Sequence, residues 1–457
     1  MPSIIKDILR VLSSNILVIL LGILGGFVVP KFLSIDQYAL WKTYGLYAGY
    51  VGILHFGFID GIYLKYGGED LSCINLTDVK SELAFLGMSQ LLVSAAVLAV
   101  TFIIGERLLV PVACVILPTN IITFYLFFFQ ATRQFSSYSL ANILRPTLRL
   151  AVILAMVIFP FLRNARFIIW GQVAVVWTVC TILSVNFRKA FIGTGPTEGT
   201  LFKKEHFGII AVGVFIMLGN LSSMLFYSMD RWFVKILLPN TDFAFYSFAT
   251  TMMSLVMVMI SSVSMTFYPI LAKSPDNTKV QNILLRGMII LGAFSCSAIF
   301  VFKPVITSLL PQYIPSLNII GVLMAGFPAI AVINALYINL FKAKKMERKY
   351  FRRVIAVAAL SFMLNCAAVW INKNIISIAA ATTIAFYLWF LISSGDFPGL
   401  KVSVKDWAYT GSVLIVFFVT TRNLSWAPGF IFYCLAVSML SVVFYKNTLI
   451  TIMNKIN

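Results

Sequence analysis

Two arginines four residues apart, Arg145 and Arg149, sit in an otherwise apolar stretch, LANILRPTLRLAVILAMVIF. On a helix this spacing puts both guanidinium groups on one face, a geometry suited to gripping a phosphate. An equally good reading has both side chains snorkelling toward an interface, since the apolar stretch begins nearby at Tyr138. Arg231 and Lys42 are further cations inside apolar segments, so Arg145, Arg149, Arg231 and Lys42 form the set of candidate substrate-binding residues. Asp60 and Asp230 are the candidate ion-coupling residues. Asp60 is expected to pair with Lys65, the alternative being an ion-coupling role. Asp230 and Arg231 are adjacent, so their side chains diverge by about 100° and one of them is expected to brace the fold. His55 is read as a satisfied polar group in preference to a proton relay.

Ionisable groups in such surroundings need explaining, because the chain as a whole avoids them. Of 457 residues 60% are hydrophobic and only 11% are charged, with a mean hydropathy of +0.94. That leaves too few polar side chains to cover a water-soluble globule, so the chain is expected to live in lipid. The forty Phe suit lipid-facing helices and interfacial belts. Six Cys and two His show no metal-ligand or disulfide-framework spacing, so neither zinc nor disulfides are expected. No catalytic residues are assigned, and no cofactor beyond a possible Na+ or H+ gradient.

A bilayer core about 30 Å thick takes about 20 apolar residues as helix. Fourteen such stretches are expected, including Leu12 to Pro30, Tyr38 to Tyr63, Phe243 to Leu271, Ser316 to Phe341 and a short one from Trp407 to Thr421. The fold class is therefore an all-α integral membrane protein of about 14 transmembrane helices. The longest polar connection divides it: residues 1–190 form an N-lobe of helices 1 to 6, 191–205 a cytoplasmic linker, 206–395 a C-lobe of helices 7 to 12, and 396–457 a C-terminal helix pair. Lys6 and Arg10 precede a long apolar stretch without a small-residue cleavage site, so the first helix is read as retained.

The net charge of +19 would in a soluble protein suggest nucleic acid. Topology explains it better. With both termini cytoplasmic, the loops on that side hold the larger share of the 35 Lys and Arg, above all Lys342 to Arg353. No nucleic-acid partner is expected. No loop is long enough to fold separately, which disfavours an enzyme with its chemistry outside the bilayer.

The two lobes carry traces of a repeat. FLSIDQYALW, from Phe32, matches LLPNTDFAFY, from Leu237, at an offset of 205 residues; FQATRQFSSY, from Phe129, matches FKAKKMERKY, from Phe341, at 212. Six helices separate the copies, an even number, which implies lobes of the same orientation and the architecture of a transporter. Glycines (Gly22, Gly25, Gly26) and prolines (Pro269, Pro328) inside helices permit bending and close approach.

The segment PKFLSIDQYALWKTYGLYAGYVGILHFGFIDGIYLKYGG, from Pro30, resembles the first repeat of the polysaccharide-transport branch of the multidrug/oligosaccharidyl-lipid/polysaccharide exporter superfamily. So do SMDRWFVKILLPNTDFAFYSFA, from Ser228, and NCAAVWINKNIISIAAATTIAFY, from Asn365. The resemblance implies two six-helix lobes around a MATE-like V-shaped cavity, plus two C-terminal helices. It implies a flippase for undecaprenyl-pyrophosphate-linked oligosaccharide, an O-antigen or other surface-polysaccharide repeat unit, in the bacterial inner membrane. A polysaccharide polymerase and chain-length machinery would then be partners. The first helix lacks the charged pair of peptidoglycan-precursor flippases, which favours the surface-polysaccharide role. A multidrug or cation exporter of the same superfamily is the alternative; it would call for acidic groups without a cationic excess.

Overall fold

The computed structural model describes residues 21–189, 203–264, 267–273, 275–400 and 402–456. The expected start of the first helix and most of the 191–205 linker lie outside them. The described residues form helices joined by turns, with no strand among them. The chain divides into two compact units, Met1–Leu221 and Ser222–Asn457.

The first unit contains α1 (Leu21–Phe32), α2 (Ile35–Gly49), α3 (Phe58–Lys65), α4 (Leu76–Ile104), α5 (Leu109–Ala131), α6 (Phe135–Ile158), α7 (Ala165–Lys189) and the first half of α8 (Lys204–Leu237). The second takes the rest of α8, then α9 (Asn240–Ser264), α10 (Phe267–Lys273), α11 (Thr278–Ser295), α12 (Ala298–Leu309) and α13 (Ser316–Met324). It continues with α14 (Phe327–Ala343), α15 (Glu347–Ile371), α16 (Ile375–Ser394), α17 (Val404–Asn423) and α18 (Trp426–Ile456). Ten helical segments among the described residues are long and apolar enough to cross a membrane, and eleven if the bent α13–α14 pair is one span. Three expected stretches fall short of that measure. The first is described only from Leu21, the second is broken, and α17 carries Lys405, Asp406 and Arg422.

Polar caps set several helix starts. The side chains of Ser34, Asn75, Asn277 and Asn374 accept backbone N–H groups at the starts of α2, α4, α11 and α16. Ser403 and Asp406 cap α17 reciprocally.

The second stretch, expected as one helix, is broken. After Gly49 a 3-10 turn runs from Tyr50 to Ile53, and Phe56 (φ 52°) and Gly57 (φ 87°) are left-handed before α3 begins. Carbonyls freed by such a break need donors when water is absent. Asn120 Nδ2 donates to Val51 O at 3.2 Å, Gln90 Nε2 to Leu54 O at 3.1 Å, and Gly57 N to His55 Nδ1 at 3.1 Å. Gly57 and Gly61 then let α3 pack backbone to backbone on α8. A Cβ on Gly213 would collide with Gly57 O and Gly61 N, and one on Gly61 with Ile209 O. This contact is why the first half of α8 belongs to the first unit.

In the second unit α13 and α14 meet at 48°. Gly326 and Pro328 sit at the bend, and proline removes the N–H that would have bonded Met324 O. Cys296 Sγ donates to that carbonyl at 3.1 Å, Tyr387 Oη to Ala325 O at 2.8 Å, and Thr383 Oγ1 to Val322 O at 2.8 Å.

The repeat is visible in backbone. At offset 205 the first residues of α2 and α9, Ile35 and Asn240, coincide, and Ala39 and Ala244 are both buried. At offset 212 Phe135 and Glu347, the first residues of α6 and α15, coincide. The turns before them are the same turn. Arg133 (φ 58°) and Lys345 (φ 53°) are left-handed at equivalent positions, and Gln134 N to Phe129 O matches Met346 N to Phe341 O, each 2.8 Å.

The basic loop does more than carry charge. Lys344 pairs with Asp276 at 2.6 Å, and Arg353 grips the buried Asp396 through two nitrogens, at 2.7 and 2.8 Å, with Lys349 at 3.1 Å.

Candidate functional site

Arg145 and the exposed Arg149 line the same open cavity of about 220 Å³, bounded within the first unit by α2, α5, α6 and α7. Tyr44, Thr119 and Gln172 supply its other polar groups, and no carboxylate among the described residues lines it. Gly45 and Gly49 keep α2 open toward free space, since a Cβ at either would meet nothing within 4 Å. Arg145 Nε is buried without a hydrogen-bond partner among the described residues.

Two guanidinium groups at i and i+4 share one helix face, and their like charges repel. An anion placed between them reverses the sign of that term and supplies the missing acceptors. A phosphate or carboxylate between them would pair with both cations.

The repeat carries no cations at the equivalent positions. At offset 212 their counterparts on α15 are Val357 and Ser361, both buried. The same backbone thus carries an apolar and a small polar residue in one unit and two arginines in the other.

Lys42 lies one turn before Gly45 on the same face of α2, its ammonium over the rings of Trp41 at 4.6 Å and Tyr38 at 5.2 Å. Arg231 belongs to the second unit; its Nη2 donates to Tyr227 O at 3.3 Å, and its Nε has no hydrogen-bond partner among the described residues. Asp230 is held by Tyr246 Oη at 2.6 Å and by the backbone N–H of Arg231 at 2.7 Å, all within the second unit.

Asp60 does not pair with Lys65. Five residues apart on α3, the two project about 140° from one another. Lys65 reaches Glu82 on α4 at 2.6 Å, and Tyr66 Oη donates to the same carboxylate at 2.9 Å. Asp60 instead faces His55, with Nε2 3.8 Å from Oδ2. Both residues are buried beside the break. His55 Nδ1 is occupied as an acceptor, which assigns the ring proton to Nε2, on the side of Asp60.

The amides at the break, Gln90 and Asn120, were not singled out from sequence; a buried amide inside an apolar helix was the available signal. Glu82 and Asp406 are a second class of omission. Asp406 is buried, accepts from Tyr445 Oη at 2.8 Å, and could have been read from its place three residues after Ser403.

No protein-family model and no curated protein sequence matches the chain. Solved structures do share its fold. A lipid II flippase, MurJ, in an inward closed conformation superposes with a TM-score of 0.68 over 97% of this chain and 100% of that one, at 14% identity. A multidrug resistance MATE family transporter of the MOP superfamily, facing inward, gives 0.58 over 87% and 99%, at 12% identity. At such identities the likeness is one of fold.

Proposed function

We propose that this chain is a flippase that carries an undecaprenyl-pyrophosphate-linked oligosaccharide, an O-antigen or other surface-polysaccharide repeat unit, from the cytoplasmic to the outer face of the bacterial inner membrane. The observation that carries the reading is the carboxylate-free cavity shared by Arg145 and Arg149. A pyrophosphate presents several anionic oxygens to two planar donor groups, and no covalent chemistry is called for. The lipid tail stays in the membrane, and alternating access supplies the movement. The fold shared with a lipid II flippase supports transport of a lipid-linked glycan. Arg231 and Lys42 are assigned as additional contacts to the head group, and Asp60 or Asp230 as the carrier if a Na+ or H+ gradient drives the cycle. The lobes are taken as 1–190 and 206–395, with both termini cytoplasmic and the polymerase and chain-length proteins as partners.

A second reading, a multidrug or cation exporter, draws on the MATE-type fold and on the buried carboxylates Asp60 and Asp230.

The test is the distribution of undecaprenyl-linked glycan between the two membrane faces in cells lacking the protein, with rescue by wild type and by Arg145→Ala/Arg149→Ala. Build-up on the cytoplasmic face that wild type relieves and the double variant does not is the expected result. No build-up on either face would transfer support to the exporter reading.

A further inference from the structure

A second basic cavity lies in the second unit, about 500 Å³ in volume, between α12, α13, α16 and α17. Lys303 and Arg422 line it with Asn318 and Thr421, and again no carboxylate does. Lys303 Nζ reaches Leu424 O, in the turn between α17 and α18, at 3.4 Å. Arg422 is in the last turn of α17. Arg422 is thus at the end of α17, and the Lys303 side chain extends from within α12 to the turn that follows α17, where a membrane span meets the head groups.

Phe300 lines this cavity and also a neighbouring one of about 450 Å³, walled by Pro304, Trp426, Phe430 and Ile431 and almost wholly apolar. Three of its walls are exposed: Val301 by 53%, Trp426 by 52% and Ile431 by 59%. A cationic, hydrogen-bonding compartment thus adjoins an apolar groove, the two joined around one helix at Phe300. Each lies within the roughly 300–1,000 Å³ range of small-ligand sites.

We infer that this pair of cavities binds an anionic glycerophospholipid of the membrane, its phosphodiester at Lys303 and Arg422 and its acyl chain along Phe300, Trp426 and Phe430. Charge complementarity selects the head group, because two cations without a carboxylate favour an anion over a zwitterion. The apolar extension selects a lipid over a free anion. The site is distinct from the Arg145–Arg149 cavity, which belongs to the first unit.

The test uses the purified full chain in detergent with phosphatidylglycerol, phosphatidylcholine or inorganic phosphate added. Native mass spectrometry counts bound lipid and thermal unfolding reads protection. With the other anion site removed by Arg145→Ala/Arg149→Ala, phosphatidylglycerol is expected to bind and protect, and the other two are not. Lys303→Gln/Arg422→Gln should weaken phosphatidylglycerol binding roughly thirtyfold. Ala427→Trp, which fills the groove, should weaken it with both cations intact. Should the double variant fail to fold, Arg422→Gln alone is expected to give an intermediate loss. Equal binding of phosphatidylcholine, equal protection by phosphate, or phosphatidylglycerol binding that survives the Lys303 and Arg422 substitutions would each overturn the assignment.

Discussion

Asn120 Nδ2 donates at once to Gln90 Oε1, at 2.6 Å, and to Val51 O, at 3.2 Å, so one amide ties α5 to α4 and to the break after α2. Asn120→Leu removes both bonds and leaves Gln90 Oε1 without this donor, while Val51 O keeps only the Leu54 N–H at 3.1 Å. The expected loss is about 1–3 kcal/mol, read as a lowered unfolding midpoint in detergent. An unchanged midpoint would mean that the break is held by other contacts.

Arg145→Val/Arg149→Ser gives the first unit the residue types that its repeat carries at Val357 and Ser361. Because the same helix folds with those residues in the second unit, this variant should retain its unfolding midpoint or exceed it, the like-charge repulsion having gone. Glycan translocation should fall by at least about tenfold, as expected when charge-assisted bonds of about 1.5–3 kcal/mol each are lost. Lower stability with transport intact would make the arginines structural.

Gly213→Ala introduces a Cβ against the backbone of Gly57 and Gly61. Neither contact is a side-chain end that can swing aside. A loss of about 1–3 kcal/mol is expected, while Gly208→Ala, which meets nothing within 4 Å, serves as the control. Equal behaviour of the two variants would contradict the close crossing.

Lys345→Gly replaces a left-handed side-chain residue by the one that tolerates this conformation. The relief of about 1–2 kcal/mol exceeds the chain-entropy cost of about 0.5–1 kcal/mol, so a small rise in midpoint is expected. A fall would assign the Lys345 side chain a contact of its own.

Element types were readable where periodicity and caps are local. The apolar stretch Trp407 to Thr421 predicts a helix close to the observed Val404–Asn423, which the polar cap at Ser403 extends beyond the apolar run. The break after Gly49 was not readable, because the groups that make it tolerable arrive from elsewhere: Gln90 is 36 residues from Leu54, and Asn120 is 69 from Val51. The partner of Lys65 was misread for the same reason, since Asp60 is near in sequence and Glu82 is near in space. At the candidate site, the spacing of Arg145 and Arg149 predicted a shared face. That Gly45, Gly49 and Gln172 from two other helices would close a cavity over that face depends on packing.

The turns at Arg133 and Lys345 keep matching φ angles and hydrogen bonds although most of the surrounding side chains differ. Such a pair is what tandem duplication of a half-length ancestral gene leaves behind: backbone shape is inherited long after residue identity has drifted. The arginine pair is then confined to one copy of a shared backbone, the other holding Val357 and Ser361 at the same places.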